Sequence, residues 1–335
     1  MTVSARTPTA LAAALRDIQA PVRDALARVP DELRRIVTAD VPLVQEVGEH
    51  LLAMKGKLLR PTLVLLASGV EERPNIDRAV TGAAIVELLH LATLIHDDAV
   101  DHSVLRRGMP TVNALFSHQV SVIMGDFLYS RVMRELVALG DIELMRVVSQ
   151  ASDAMTLGEM RQLAAFDALA FTEDDYERLI IAKTAALFVA ATSVGALSGA
   201  PEHRVALARY GERLGMAFQV ADDLLDYTET AEVTGKPSGL DLREHKVTLP
   251  LIAAMRTMSP AARAEVEALF ATPEPEEASV NRVIGIVRDA GGLDYARQRA
   301  EQFAQEAEEC LTGLPHTPMR VALYDAIGYA VDRRW

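Results

Sequence analysis

The sequence predicts an all-α protein, and three observations carry that prediction. Apolar residues recur at spacings of three and four along most of the 335-residue chain. No segment alternates convincingly as a strand, and there is no short-period repeat. Proline and capping signals cut the pattern into helix-sized pieces. Half of the residues are hydrophobic, enough for a large core in one large domain or two smaller ones. The sequence shows no run long enough to cross a bilayer.

Residues 8–27 are Ala- and Leu-rich with interleaved charge, which predicts an amphipathic arm lying on the surface or on a partner subunit. Pro30 and Asp31 predict a helix restart. Pro61, Pro74, Pro110 and Pro201 punctuate later segments, and Thr172 to Asp175 predicts an N-terminal cap for a helix from Tyr176 to Leu197. Thr228 to Thr248 is irregular, rich in Gly, Pro and charge, and Thr272 to Ala278 reads as a plain surface connection.

The net charge of −13 means that the surface as a whole does not attract nucleic acid or anionic lipid. An anionic substrate must be drawn by local basic clusters or by bound metal. Cys310 is the only cysteine, which excludes disulfides within the chain and thiolate metal sites. Arg16, Asp17, Arg23 and Asp24 interrupt the apolar N-terminal residues, so no signal-peptide core is present and the compartment is most simply cytoplasmic.

The stretch from Glu87 to Gly108, ELLHLATLIHDDAVDHSVLRRG, organises the rest. Its apolar helical half ends in Asp97, Asp98 and Asp101. Asp97 and Asp101 lie one turn apart on one face. Three carboxylates at the negative pole of a helix repel one another and call for a cation. Oxygen-only ligands without nearby Cys favour a hard ion, Mg²⁺ first, because it bridges carboxylates to phosphates. An isolated DDxxD is better read as a solvated acidic helix end. Here, however, Ala217 to Tyr227, AFQVADDLLDY, repeats the pattern with Asp222, Asp223 and Asp226 after a second apolar helix.

Basic residues gather around these motifs in an otherwise acidic chain: Lys57 and Arg60, Arg106 and Arg107, Lys183, Lys236 and Lys246. Diphosphate binding needs both signs, with metal bridging carboxylate to phosphate and Lys or Arg covering the remaining oxygens. Above Asp97 on the same face come Thr93, one turn earlier, then His90 and Leu89, with Ala92 beside them.

Residues 45–335 resemble the trans-polyprenyl diphosphate synthases. The resemblance rests on GKLLRP at 56–61, DDAVDHSVLRRG at 97–108, GDFLYSR at 125–131, and GE with Gln162 at 158–162. It continues with KTAALF at 183–188, GMAFQVADDLLDY at 215–227 and GKPSGLDLREHKVTLPLI at 235–252. It implies a single large antiparallel helical bundle around a deep central cavity, the isoprenoid synthase fold, spanning 1–335 with a helical arm at 1–30, and a homodimer. It also implies roles. Asp97, Asp101 and Asp222 would be direct ligands of three Mg²⁺, with Asp98, Asp223 and Asp226 supporting or contributing. Arg106, Lys183, Lys236 and Lys246 would hold the diphosphate of an allylic primer. Lys57, Arg60, His90 and Arg107 would hold isopentenyl diphosphate, and Thr184 and Gln219 would line the gap between the two. Leu58 stands where the family usually has a basic residue, and His245 where glycine is frequent.

The expected reaction adds isopentenyl diphosphate head-to-tail to the primer. Thr93 and Ala92, four and five residues before Asp97, are small where short-chain members place an aromatic, so the expected product is long, of the type used for quinone side chains. Leu89 and the more distant Met133 are further candidates for setting length. The competing expectations are a farnesyl or geranylgeranyl synthase, a class I terpene cyclase, a non-catalytic subunit of a heterodimeric synthase and a structural protein with two acidic metal sites.

Overall fold

The segment Ala186–Gly199 carries apolar or small side chains on every face, and a helix of that kind has to be buried on every side. The computed structural model, which describes residues 8–54, 56–106, 108–163, 168–228 and 238–331, places it at the centre. The helices before it are α1 (Pro8–Gln19), α2 (Arg23–Val37), α3 (Pro42–Ala53), α4 (Leu59–Ser68), α5 (Ile76–Val100), α6 (Val112–Leu115), α7 (His118–Leu139), α8 (Ile142–Leu163) and α9 (Glu173–Ile180). The central segment is α10. After it come α11 (Arg204–Thr228), α12 (Leu240–Arg243), α13 (Leu249–Met255), α14 (Pro260–Phe270), α15 (Glu277–Asp289), α16 (Gly292–Leu311) and α17 (Pro318–Val331). Helices α4, α5, α8 and α11 surround α10; α11 packs outward on α16, and α1 packs on α17. This is the all-α helical bundle that the sequence predicts.

Four local features differ from the sequence reading or sharpen it. The helix does not restart at Pro30, because α2 runs through it. Leu26, Val29, Leu33 and Ile36 form a buried stripe across the proline, and this packing offsets the missing hydrogen bond. Strand is not wholly absent: Leu105–Arg106 pairs antiparallel with Met109–Pro110, and Gly108 takes the positive φ of 77° that the tight turn requires. The cap at Thr172 is a reciprocal box with Asp175, but the helix beyond it is interrupted by a π-helical turn, Ile181–Ala185. Finally, Ile76–Val100 and Glu173–Gly199 are each long and apolar enough to cross a membrane, contrary to the expectation of no such run; two-thirds of the most apolar stretch of each is buried inside the fold, as befits core helices.

Candidate active site

The aspartate triads stand at the C-terminal ends of α5 and α11, each 25 residues long. At these poles the helix dipole opposes negative charge. The protein manages the six carboxylates unequally. Asp98 is buried, and both of its oxygens accept from Arg106 on the hairpin, at 2.8–2.9 Å. Asp226 accepts the backbone N–H groups of Leu240 and Asp241, both at 3.0 Å, and so fastens α12 to the second motif. Asp223 is buried, with Tyr176 Oη donating to one oxygen at 2.5 Å and Gln219 Nε2 to the other at 2.8 Å. Both oxygens of Asp223 thus accept from protein donors, as do both oxygens of Asp98 and of Asp226, the arrangement of groups that support a site.

Asp97 is pushed up to about 6, first by burial, with Lys183 opposing and Glu159 and Asp101 adding to the rise. A half-buried carboxylate in that state is a group short of a cation, and the all-oxygen donor set around it suits a hard divalent ion. Lys183 Nζ sits 2.5 Å from Glu159 and donates to Gln162 at 3.1 Å. Lys246 donates to Glu244 at 2.6 Å. Burial alone would lower Lys246; Glu244, Asp241 and Asp101 outweigh it and raise it. Lys246 therefore senses Asp101 of the first motif and Asp241 beside the second, and the two motifs share one electrostatic site.

Thr184 Oγ1 donates to Gln219 Oε1 at 2.6 Å. The π-turn presents Lys183 and Thr184 side by side, a local distortion of the kind often found at functional sites. Glycines from two helices make room for it. A Cβ on Gly215 would lie 2.6 Å from Ala185 Cα, and one on Gly158 would lie 3.0 Å from Ala182 Cβ. Gly215→Ala is expected to cost about 1–3 kcal/mol, read as a lower denaturation midpoint, because backbone cannot yield as a side-chain tip can. An unchanged midpoint would show that the turn is not held this way.

The second basic group is likewise assembled. Arg60 Nη1 lies 3.2 Å from His90 Nε2, and its guanidinium lies over the Phe188 ring at 5.0 Å. Phe188 packs on Phe218, next to Gln219, with ring centroids 5.3 Å apart. Lys57 lies 5.6 Å over the Tyr329 ring, and Gln19 donates to the Lys57 carbonyl at 3.0 Å, so the N-terminal helix braces this loop. Leu58 holds a left-handed φ of 49° at the start of α4, and His245 holds one of 55°, which accounts for glycine being at home in its place. Arg107 and Lys236 lie outside the described residues.

A cavity of about 390 Å³ opens beside the second motif. Lys183, Thr184, Gln219, Asp223 and Lys246 line it, with an apolar wall of Leu163, Phe171, Leu179, Ile180 and Val247. The proposed chain-length residues do not line it. Ala92 and Leu89 are buried in the face α5 turns to the core, and Thr93, half-buried, donates to the His90 carbonyl at 2.8 Å.

Sequence reasoning missed Tyr176, Glu159 and Asp241. Asp241 lies within the stretch 235–252 that carried the resemblance, and a lone Asp in a Gly-Pro-rich segment gave no spacing to mark it. Its carboxyl is pushed up to about 7, first by burial and then by Asp226, with Lys246 opposing. In the unfolded chain it ionises near 3.8, so folding takes up a proton between the two values. Stability of the metal-free protein therefore falls as pH rises through this window. Asp241→Asn is expected to raise the Tm of metal-free protein at about pH 8, the gain shrinking steadily toward about pH 4. A pH-independent difference would exclude this account.

Fold and site together define an all-helical protein that sets two carboxylate triads among lysines and arginines. The profile of the family described as polyprenyl synthetase matches residues 41–287, and the chain belongs to that family. It is 40% identical over 319 residues to the all-trans-nonaprenyl-diphosphate synthase (geranyl-diphosphate specific) of Rhodobacter capsulatus, covering 95% of this chain and 98% of that one. It is 39% identical to the octaprenyl diphosphate synthase of Escherichia coli K12, covering 89% and 92%. The structure of the Caulobacter crescentus CB15 polyprenyl synthase complexed with calcium and isoprenyl diphosphate matches with a TM-score of 0.90 at 34% identity, over 96% of this chain and 98% of that one.

Proposed function

We propose that the protein is a Mg²⁺-dependent trans-prenyltransferase that extends an allylic diphosphate with isopentenyl diphosphate into a long-chain polyprenyl diphosphate for quinone side chains. The observation that carries the reading is the cavity that gathers Lys183, Thr184, Gln219 and Lys246 around Asp223 of the second triad, with Asp97 in the field of Lys183 and Asp101 in that of Lys246. Relatives named for eight- and nine-unit products support the length, and the relative solved with calcium and isoprenyl diphosphate supports the divalent ion and the substrate.

Asp97, Asp101 and Asp222 would hold the ions, with Asp98, Asp223 and Asp226 supporting or contributing. Bound there, Mg²⁺ supplies the positive charge that the departing diphosphate needs. Lys183, Lys246, Arg106 and Lys236 cover the other oxygens of the primer diphosphate. Lys57, Arg60, His90 and Arg107 hold the diphosphate of isopentenyl diphosphate. Thr184 and Gln219 face the reacting carbons, and the apolar wall keeps water from the allylic cation. The primer's C–O bond breaks, the isopentenyl double bond forms the new C–C bond, and the departing diphosphate takes the proton released. The chain works as one domain in the cytoplasm, and as a homodimer; exposed Ile123 and Val137 on α7 and Leu157 and Met160 on α8 support the association.

The test is product analysis with purified protein, farnesyl diphosphate, labelled isopentenyl diphosphate and Mg²⁺. A ladder ending in one dominant long product is expected. A single short product would keep the reaction and remove the chain-length reading; no incorporation with metal binding intact would favour the cyclase or non-catalytic subunit.

A further inference from the structure

The buried end of the second motif contains a directed chain of hydrogen bonds. Tyr176 Oη donates to Asp223 Oδ2 at 2.5 Å, Gln219 Nε2 donates to Asp223 Oδ1 at 2.8 Å, and Thr184 Oγ1 donates to Gln219 Oε1 at 2.6 Å. Tyr176 and Asp223 are both buried, and all four residues border the 390 Å³ cavity. The direction follows from the donor inventory. Asp223 Oδ1 can only accept, so Gln219 must turn its NH₂ toward it. The Gln219 carbonyl then faces Thr184, and the single hydroxyl proton of Thr184 is committed to it. What Thr184 has left to offer the cavity is lone pairs. Tyr176 occupies Oδ2 whether Asp223 is ionised or carries a proton there, and so leaves Oδ1 as the acceptor that faces Gln219.

Resting on the functional reading above, we infer that Tyr176 and Asp223 are positioning residues that fix the polarity of the Gln219–Thr184 pair, so that Thr184 meets the allylic centre as an acceptor. An oxygen fixed in that sense stabilises positive charge on carbon at no reorganisation cost. A freely rotating hydroxyl would have to turn as the cation forms. The second aspartate of this motif is thereby assigned to orienting the cavity wall rather than to holding metal.

The experiment uses the full-length protein and steady-state kinetics in farnesyl diphosphate, isopentenyl diphosphate and Mg²⁺ for Tyr176→Phe, Asp223→Asn, Thr184→Val and the double variant Tyr176→Phe/Thr184→Val. Tyr176→Phe removes one oxygen, and Asp223→Asn keeps the shape while letting Gln219 flip. Asp223→Asn is expected to lower kcat about tenfold or more, with both KM values and the Mg²⁺ half-saturation unchanged. Tyr176→Phe should lower kcat less, and the double variant should be no slower than Thr184→Val alone, because the tyrosine acts only through the threonine. A raised Mg²⁺ requirement in Asp223→Asn, unaltered kcat in both single variants, or additive losses in the double variant would each overturn the inference while leaving the activity standing. A wild-type protein that incorporates no isopentenyl diphosphate overturns the functional reading and this inference together.

Discussion

Asp97→Asn is expected to lower kcat by about three orders of magnitude at saturating substrates and Mg²⁺, since metal charge at the leaving group accounts for several kcal/mol of the barrier. The carboxylate is suited to this use because the fold makes it uncomfortable without a cation. Burial pushes it up to about 6, and Glu159 and Asp101 push the same way against Lys183. Metal-free protein above that pH carries a half-buried charge that the unfolded chain does not pay for, so its stability falls as pH rises between the unfolded and folded values. The variant removes that charge. It should melt higher than the wild type in metal-free buffer at about pH 8, while losing the rise in Tm that Mg²⁺ with inorganic diphosphate gives the wild type. Activity within tenfold of wild type, or an equal Tm rise with Mg²⁺ and diphosphate, would remove Asp97 from the ligand set.

The contrast among the six aspartates shows where sequence stops informing. Spacing put Asp97 and Asp101 on one face, because a helix has a fixed period, and the structure keeps them there. The same logic applied to Asp222, Asp223 and Asp226 could not rank them. What turns Asp223 inward is a tyrosine 47 residues earlier in the chain, and what occupies Asp226 is backbone beyond an irregular stretch. Such partners depend on tertiary placement, which leaves no local periodicity. The π-turn was hidden for a similar reason. Lys183 and Thr184 lie in an ordinary helical pattern, and the turn is accommodated by Gly158 and Gly215 on other helices. Arg60 with His90 was more legible, since a basic residue in a motif and a histidine on an apolar face both ask for a partner. Pro30 erred in the other direction: a strong local signal lost to a buried stripe that runs through it.

Product length is where sequence and structure leave two routes. Ala92 and Thr93 stand one turn and a little more before Asp97, about 6–7.5 Å along the axis at 1.5 Å per residue. A chain growing away from the first motif along α5 would meet these small residues. The apolar wall at Leu163, Phe171, Leu179 and Ile180 belongs instead to the cavity beside the second motif. Ala92→Phe is expected to replace the dominant long product with short ones of farnesyl or geranylgeranyl length, read by chromatography of dephosphorylated products. Because Ala92 is buried, an aromatic there strains the core by about 1–3 kcal/mol. Thr93→Phe, at a half-buried position, is the companion that separates blocking from misfolding. Leu179→Trp fills the other cavity and should leave length unaltered. If Leu179→Trp shortened the product while Ala92→Phe and Thr93→Phe did not, the growing chain would run beside the second motif, and the small residues above Asp97 would be packing residues only.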